Sequence, residues 1–257
     1  MDIVFVGAGR LATNFARALH EKGHRITAVY SRTQASADAL ATVVGGLATD
    51  SLSSLPTTAD AFIISIKDSA LTTVIPALAK GREEQCFYHT AGSMPLSVFD
   101  EKLPNAGVVY PMQTFSKERQ VDFSHIPFFV EGRSESALQR GREIALAVSD
   151  NVRELSSEGR RHLHLAAVFA CNFANHCYAL SEEVLRAYDI PFSVMLPLVG
   201  ETAEKVKTMS PREAQTGPAV RYDRNVIDAQ SRLLSDKPEL QAIYDMMSKS
   251  INRLAND

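Results

Sequence analysis

Asp2-Ile3-Val4-Phe5-Val6-Gly7-Ala8-Gly9-Arg10-Leu11-Ala12 is the stretch that decides how this chain is read. An apolar, β-branched run stops at a glycine turn, and a helical pattern carrying Leu11, Phe15, Ala18 and Leu19 follows. Gly7 permits a tight strand-to-helix turn, Gly9 lets the backbone come close to a ligand, and small Ala12 lets the helix lie against the strand. A helix start offers unpaired N–H groups and a partial positive charge, which suit an anion such as a dinucleotide pyrophosphate. Gly7, Ala8, Gly9, Arg10 and Leu11 are therefore the expected phosphate cradle.

Outward from that turn, strand and helix patterns alternate. Strands are expected over 26–30, 59–66, 86–90, 107–110, 127–131 and 151–155, and helices over 34–44, 69–80 and 135–148. Continuous apolar strands between amphipathic helices imply an α/β, doubly wound, mostly parallel sheet of the Rossmann kind, with ligands bound along the carboxyl edge of its strands. From Ser156 onward the pattern is helical alone. One long helix is expected over 157–188, a second over 193–209, and others over 224–234 and 238–254. Ser210-Pro211-Arg212-Glu213 reads as a capping box. The expected division is a nucleotide-binding domain over 1–155 and an all-helical substrate and dimerisation domain over 156–257.

Composition narrows the function classes. The chain has 257 residues, 45% of them hydrophobic and 22% charged, which marks a globular protein. A net charge of −3 supplies no basic field for nucleic acid. No apolar run reaches membrane-spanning length. The three cysteines fit a reducing, cytoplasmic setting, and the seven histidines form no metal-ligand spacing.

Which dinucleotide binds is written at the end of the second strand. NAD enzymes usually carry an acid there for the ribose hydroxyls. This chain has Ser31-Arg32-Thr33 instead, a guanidinium and two hydroxyls suited to a 2′-phosphate, so the expected cofactor is NADP. Ser65-Ile66-Lys67 ends the next strong strand on the same edge, where Lys67 either reaches a cofactor phosphate or ribose or faces solvent, while Asp68 reads as a helix cap. His89-Thr90-Ala91-Gly92-Ser93 ends the strand after that. His89 there is either a proton donor or a strand-end histidine bonded to backbone. Tyr110-Pro111-Met112-Gln113-Thr114-Phe115 leads off the sheet in the same direction, making Met112 and Gln113 candidates for a substrate wall.

In the long helix, His164, Val168 and Asn172 recur every fourth residue and share a face. A buried Asn172 needs partners, and either backbone or a ligand in a cleft beside the helical domain supplies them. Arg221 either holds an anionic substrate or pairs with Asp223 or Glu213. The apolar helix between Leu163 and Leu180 exceeds what a small helical domain buries alone, so a homodimer through the second domain is expected. These residues suit an oxidoreductase that moves a hydride to or from a small C=O or C=N substrate, with a non-catalytic NADP-binding sensor or scaffold as the alternative.

The assembled motifs resemble a family that joins a Rossmann domain of the NADP oxidoreductase, coenzyme F420-dependent type to a helical DUF2520 domain. The likeness rests on the Gly7–Ala12 turn, the 89–93 and 111–115 segments, Asn172 and Thr216-Gly217-Pro218, and covers nearly the whole chain. More distantly the chain resembles pyrroline-5-carboxylate reductase and the β-hydroxyacid dehydrogenases, which implies a second domain like that of 6-phosphogluconate dehydrogenase, packing as dimers. In the dehydrogenases a catalytic lysine lies one turn before the helix asparagine; here Val168 occupies that position. That departure leaves His164, one turn further back, as the substitute donor.

Overall fold

The computed structural model describes residues 1–116, 119 and 121–256. Two compact units divide the chain, Met1–Ala170 and Cys171–Asp257. The first opens with β1 (Asp2–Val6), α1 (Arg10–Glu21), β2 (Arg25–Tyr30), α2 (Gln34–Val44) and β3 (Leu47–Thr49). It continues with β4 (Ala61–Ile64), α3 (Asp68–Ala79), β5 (Phe87–His89), β6 (Ala106–Pro111) and β7 (Phe128–Gly132). It closes with α4 (Glu135–Leu146), β8 (Val152–Glu154) and α5 (Ser157–Ala167).

The eight strands form one sheet in the order β3-β2-β1-β4-β5-β6-β7-β8. Strand order reverses direction between β1 and β4, so the crevice beyond their carboxyl ends is the place where such a sheet binds ligands. Alternation along β1 builds both faces. Ile3 and Phe5 join Phe15 and Leu19 of α1 and Ile144 of α4, whereas Val4 and Val6 join Leu71, Ile75 and Leu78 of α3. Phe15 is sealed between Phe5, Phe123 and Phe128, with ring centroids at 6.0, 5.8 and 5.4 Å. Truncating such a side chain to alanine costs about 3–5 kcal/mol. Serines start two of the helices: Ser134 Oγ accepts from the Ala137 N–H at 3.2 Å, and Ser156 Oγ from the Gly159 N–H at 3.3 Å.

The doubly wound, mostly parallel sheet agrees with the sequence, and three details differ from it. β3 is an extra edge strand, formed where Gly45 and Gly46 turn the chain back beside β2. β7 runs antiparallel to β6, because the chain returns directly instead of crossing over through a helix. The helix expected over 157–188 is α-helical to Ala167, π-helical over Val168–Phe173 and α-helical again as α6 (Ala174–Arg186).

Among its described residues the second unit has helices and no strand. After α6 come α7 (Leu196–Thr208), α8 (Pro211–Ala214), α9 (Pro218–Arg221), α10 (Arg224–Arg232) and α11 (Pro238–Asn256). The capping box is present: Ser210 Oγ accepts from the Glu213 N–H, while the Glu213 carboxylate accepts from the Ser210 N–H at 3.0 Å. The stretch 216–223 contains the single turn of α9, started by Pro218 and stopped by Tyr222 at φ +52°. Asn172, expected to be buried, is exposed, because this unit covers little of its own surface. Arg221 is likewise exposed at the end of α9. Among the described residues no helix is long and apolar enough to cross a membrane.

Candidate functional site

A cavity of about 680 Å³ opens at the reversal point of the sheet, and its walls come entirely from the first unit. Its floor is the turn after β1. Gly7 sits at φ +122°, and a Cβ there would lie 2.1 Å from the Ser65 carbonyl oxygen, so only glycine fits. The Gly7 N–H donates to the Tyr30 carbonyl at 2.8 Å, and the Ser65 N–H donates to the Val6 carbonyl at 2.8 Å. Those bonds clamp the turn between the ends of β2 and β4. At Gly9, the N-cap of α1, an added Cβ would meet nothing within 4 Å. No side chain caps α1 and no acid lies in its first turn. The helix start therefore faces open space with donors to offer, as a phosphate cradle requires.

Cations ring this floor. Arg10, Arg32 and Lys67 all line the cavity, all are exposed, and none of their side chains makes a hydrogen bond or ion pair among the described residues. Ser31 and Thr33 flank Arg32 in the wall, and Thr33 Oγ1 donates to Ser36 Oγ at 2.8 Å. The wall continues through Ala8, Leu11, Ser65, Ile66 and Thr90, so every residue expected at the cofactor lies on this one surface. Asp68 also reaches it. Instead of capping α3, its carboxylate accepts a hydrogen bond from the Ser93 hydroxyl.

The far end of the cavity is built by Thr90, Ala91, Gly92, Tyr110, Gln113, Phe115 and His164. Met112 is absent from the wall; it packs on the small cluster of Val108, Tyr110 and Phe129. The 112–116 loop is tied to α1 by buried Asn14, whose Nδ2 donates to the Arg10 and Ser116 carbonyls, each at 2.9 Å. His89 differs most from its expected place. It is wholly buried, stacked on Phe99 at 5.6 Å, and lies outside the cavity wall. Its Nδ1 accepts from the Ala91 N–H at 3.2 Å. Burial pushes its pKa down to about 3, the Arg160 guanidinium pushing the same way, so it is neutral at physiological pH. The strand-end alternative describes its setting.

His164 is the expected donor that does line the cavity. Its Nδ1 is 3.2 Å from the Tyr110 hydroxyl. Burial, helped by Asp68 and opposed by Arg160, raises the Tyr110 phenol above its ordinary pKa, so the hydroxyl keeps its proton. An ionic network fixes the helix that carries His164. Arg160, fully buried, pairs with Glu131 at the end of β7 and donates to the Met94 carbonyl at 2.6 Å. Ser157 Oγ donates to Glu131 Oε2 at 2.8 Å and accepts from the Leu96 N–H at 2.8 Å. The start of α5 is thereby fastened to β7 and to the segment after β5. Asn14 and Arg160 were not singled out in the sequence as site-building groups, and Tyr110 entered only at the head of the segment expected as a substrate wall. A polar residue within an apolar run was the available signal for Tyr110.

Two family models match the chain. Residues 2–87 match "NADP oxidoreductase coenzyme F420-dependent", and residues 126–251 match "Domain of unknown function (DUF2520)". No curated protein matches it. Among solved structures, a Bacteroides fragilis protein provisionally named an NADP oxidoreductase is 50% identical over 98% of both chains, with a TM-score of 0.93. A Thermotoga maritima protein is 26% identical over 99% of this chain and 100% of its own, with a TM-score of 0.82. An imine reductase of Myxococcus stipitatus in complex with NADP+ shares the fold, at 14% identity over 100% and 94% of the two chains and a TM-score of 0.74. With half its residues identical to the B. fragilis protein along nearly its whole length, the chain belongs to the family that joins an NADP oxidoreductase, coenzyme F420-dependent, domain to a DUF2520 domain.

Proposed function

We propose that the protein is an NADP-dependent oxidoreductase acting on a small C=O or C=N group. The observation that carries this reading is the glycine-floored cavity ringed by Arg10, Arg32 and Lys67, three cations without partners among the described residues. A dinucleotide phosphate brings several negative charges, and the cavity holds a cradle and guanidinium forks to meet them. In this reading Gly7 to Leu11 hold the pyrophosphate, Ser31, Arg32 and Thr33 hold the 2′-phosphate, and Ser65, Ile66, Lys67 and Thr90 line the way to the reacting end. The bound cofactor supplies hydride chemistry, and the protein supplies orientation and a proton. Gln113 and His164 stand at that end as substrate and proton contacts. Names carried by relatives support the same reading, the B. fragilis protein by its oxidoreductase name and the M. stipitatus enzyme by its NADP+ complex.

Titration with NADPH and NADH tests the cofactor, read by quenching or enhancement of nicotinamide fluorescence. NADPH is expected to bind more tightly. Arg32→Ala is expected to weaken NADPH by about 10- to 100-fold, the range of a lost charge-assisted contact, and to leave NADH nearly unchanged. Equal binding of the two nucleotides, or none, overturns the reading.

A second reading has its own observation. Val168 stands where the resemblance to β-hydroxyacid dehydrogenases implies a catalytic lysine, which favours a sensor or scaffold that binds NADP without turnover. Reduction of any member of a panel of cyclic imines and ketones excludes it. The distant resemblance to pyrroline-5-carboxylate reductase and the β-hydroxyacid dehydrogenases also supports a homodimer built through the helical unit, and that unit's exposed apolar residues support the same arrangement. The three cysteines are unpaired, as a reducing cytoplasm leaves them.

A further inference from the structure

One polar pair in the cavity wall is not needed for holding a nucleotide. Tyr110 lies near the end of β6 in a cluster with Val108, Phe129 and Leu163, only 9% exposed, and still borders the cavity. Its hydroxyl oxygen is 3.2 Å from His164 Nδ1, the rings meeting edge-on with centroids 6.1 Å apart. Space for the pair is kept by Gly92. A Cβ on Gly92 would lie 2.7 Å from both His164 Nδ1 and Tyr110 Cζ, so a side chain there would force the rings apart. The pair is held from behind as well, because the Glu131–Arg160–Ser157 network fixes the first turns of α5. A buried phenol is thus joined to a partly exposed imidazole, both bordering the same cavity.

We infer that Tyr110 delivers the proton in the reaction proposed above, with His164 replenishing it from solvent. The inference rests on that reading for its hydride and on the geometry of the pair for its proton. The balance closes simply. Two electrons and one hydrogen enter the C=O or C=N carbon as hydride from a reduced nicotinamide. The phenol O–H bond breaks as the substrate heteroatom gains its proton. The proton on His164 Nδ1 passes to the phenolate oxygen, and Nε2 takes one from water. The reverse order serves oxidation. The charged and titratable groups that face the phenol are His164 and Arg160 from α5 and Asp68 from α3. Arg160 favours the phenolate, while Asp68 and burial favour the phenol, which leaves a donor that is protonated at rest and gives up its proton only when a developing anion takes it.

The first test needs no nucleotide. In the protein labelled with 15N-histidine, the His164 ring nitrogens are followed by NMR through a pH titration. Tyr110→Phe is expected to move the His164 Nδ1 shift; an unaltered Nδ1 overturns the pairing. The second test measures reduction of cyclic imines and ketones with NADPH. Tyr110→Phe is expected to lower kcat by about 100-fold or more while the NADPH dissociation constant stays the same. Placing 3,5-difluorotyrosine at position 110 keeps the shape and lowers the phenol pKa, so it is expected to shift one limb of the kcat pH profile to lower pH. A Tyr110→Phe protein with full kcat, or a profile that stays in place with the fluorinated residue, overturns the inference. Wild-type protein that binds NADPH tightly and reduces nothing overturns the inference while leaving cofactor binding intact. Wild-type protein that fails to bind NADPH overturns the proposed function instead.

Discussion

In Met1–Ala170 the side chains of Ile3, Phe5, Phe15, Phe62 and Phe128 are sealed from solvent, whereas in Cys171–Asp257 Tyr188, Leu198 and Met246 are 74%, 63% and 71% exposed. Among the described residues of the second unit, Ala219, Ile227 and Ser248 alone are buried. The first unit closes an apolar core on each face of its sheet and keeps a polar-rimmed cavity open at the sheet's reversal point. The second is a set of amphipathic helices that bury almost nothing of their own. Helices of this length draw most of their stability from packing of an apolar face. The first unit is therefore a closed body with a candidate site, and in the proposed homodimer the second is one half of an interface.

The sharpest way to break that comparison is to unpin the first unit from inside. Glu131→Ala leaves the Arg160 guanidinium buried with no counter-ion, which costs about 3–5 kcal/mol. Chemical denaturation is expected to show that loss, and a double variant, Glu131→Leu with Arg160→Met, is expected to recover much of it because the uncompensated charge is gone. A single variant as stable as the wild type would mean that α5 is not anchored by this pair.

Next in size is the floor of the cavity. Gly7→Ala places a Cβ against the Ser65 carbonyl at a φ that side chains rarely adopt. The expected cost is about 3 kcal/mol, with NADPH binding abolished together with it. Thermal unfolding and nucleotide titration of the same preparation check both. Loss of stability with binding intact would separate the cradle from the ligand.

The cradle was legible in sequence because its requirements are local: a glycine that must take positive φ, a helix that must start at once, and a guanidinium one strand further on. Arg32, Lys67 and Thr90 needed only the rule that strand ends of a parallel sheet share an edge. The parts that escaped depend on distant residues. Nothing near Arg160 in sequence announces that Glu131 and Met94 will enclose it, and a charged residue in a helix ordinarily faces water. His89 stands at a strand end as a donor would, yet it is fully buried with Phe99 stacked on it and the Arg160 charge acting against its protonation. The antiparallel turn of β7 was equally hidden, since a buried apolar run reads the same in either direction. Apolar surplus in the second unit was visible, but whether Asn172 lies inside or outside depends on what covers the helix.

His89 supplies the third test, through pH. Its folded-state pKa of about 3 lies below the ordinary 6.5, so between those values the unfolded chain binds a proton that the folded one refuses. Stability contributed by the neutral ring is complete above pH 6.5 and falls as pH drops toward 3, at about 1.4 kcal/mol per pH unit. His89→Leu removes this one proton from the balance. Comparing denaturant midpoints at pH 7 and pH 5, the wild type is expected to lose about 2 kcal/mol more than the variant. Parallel losses would show that His89 is protonated as easily in the fold as outside it.

The smallest energetic effect belongs to the second unit, and it decides the comparison. Leu198 on α7 and Met246 on α11 are mostly exposed in the single chain, so replacing either with glutamate removes little packing within it. Surface changes of that kind move monomer stability by no more than about 0.5 kcal/mol. If these residues meet a second copy, each glutamate buries a charge at the interface, and the dimer dissociates at concentrations where the wild type stays paired. Light scattering on wild type and on Leu198→Glu with Met246→Glu reads this directly. A wild-type mass near 28.1 kDa, the mass of one chain, would mean that the helical unit stands with its apolar faces open to water, and the contrast between a finished unit and a half-interface would collapse. A wild-type dimer that the glutamates halve would place the missing core of the second unit in its partner.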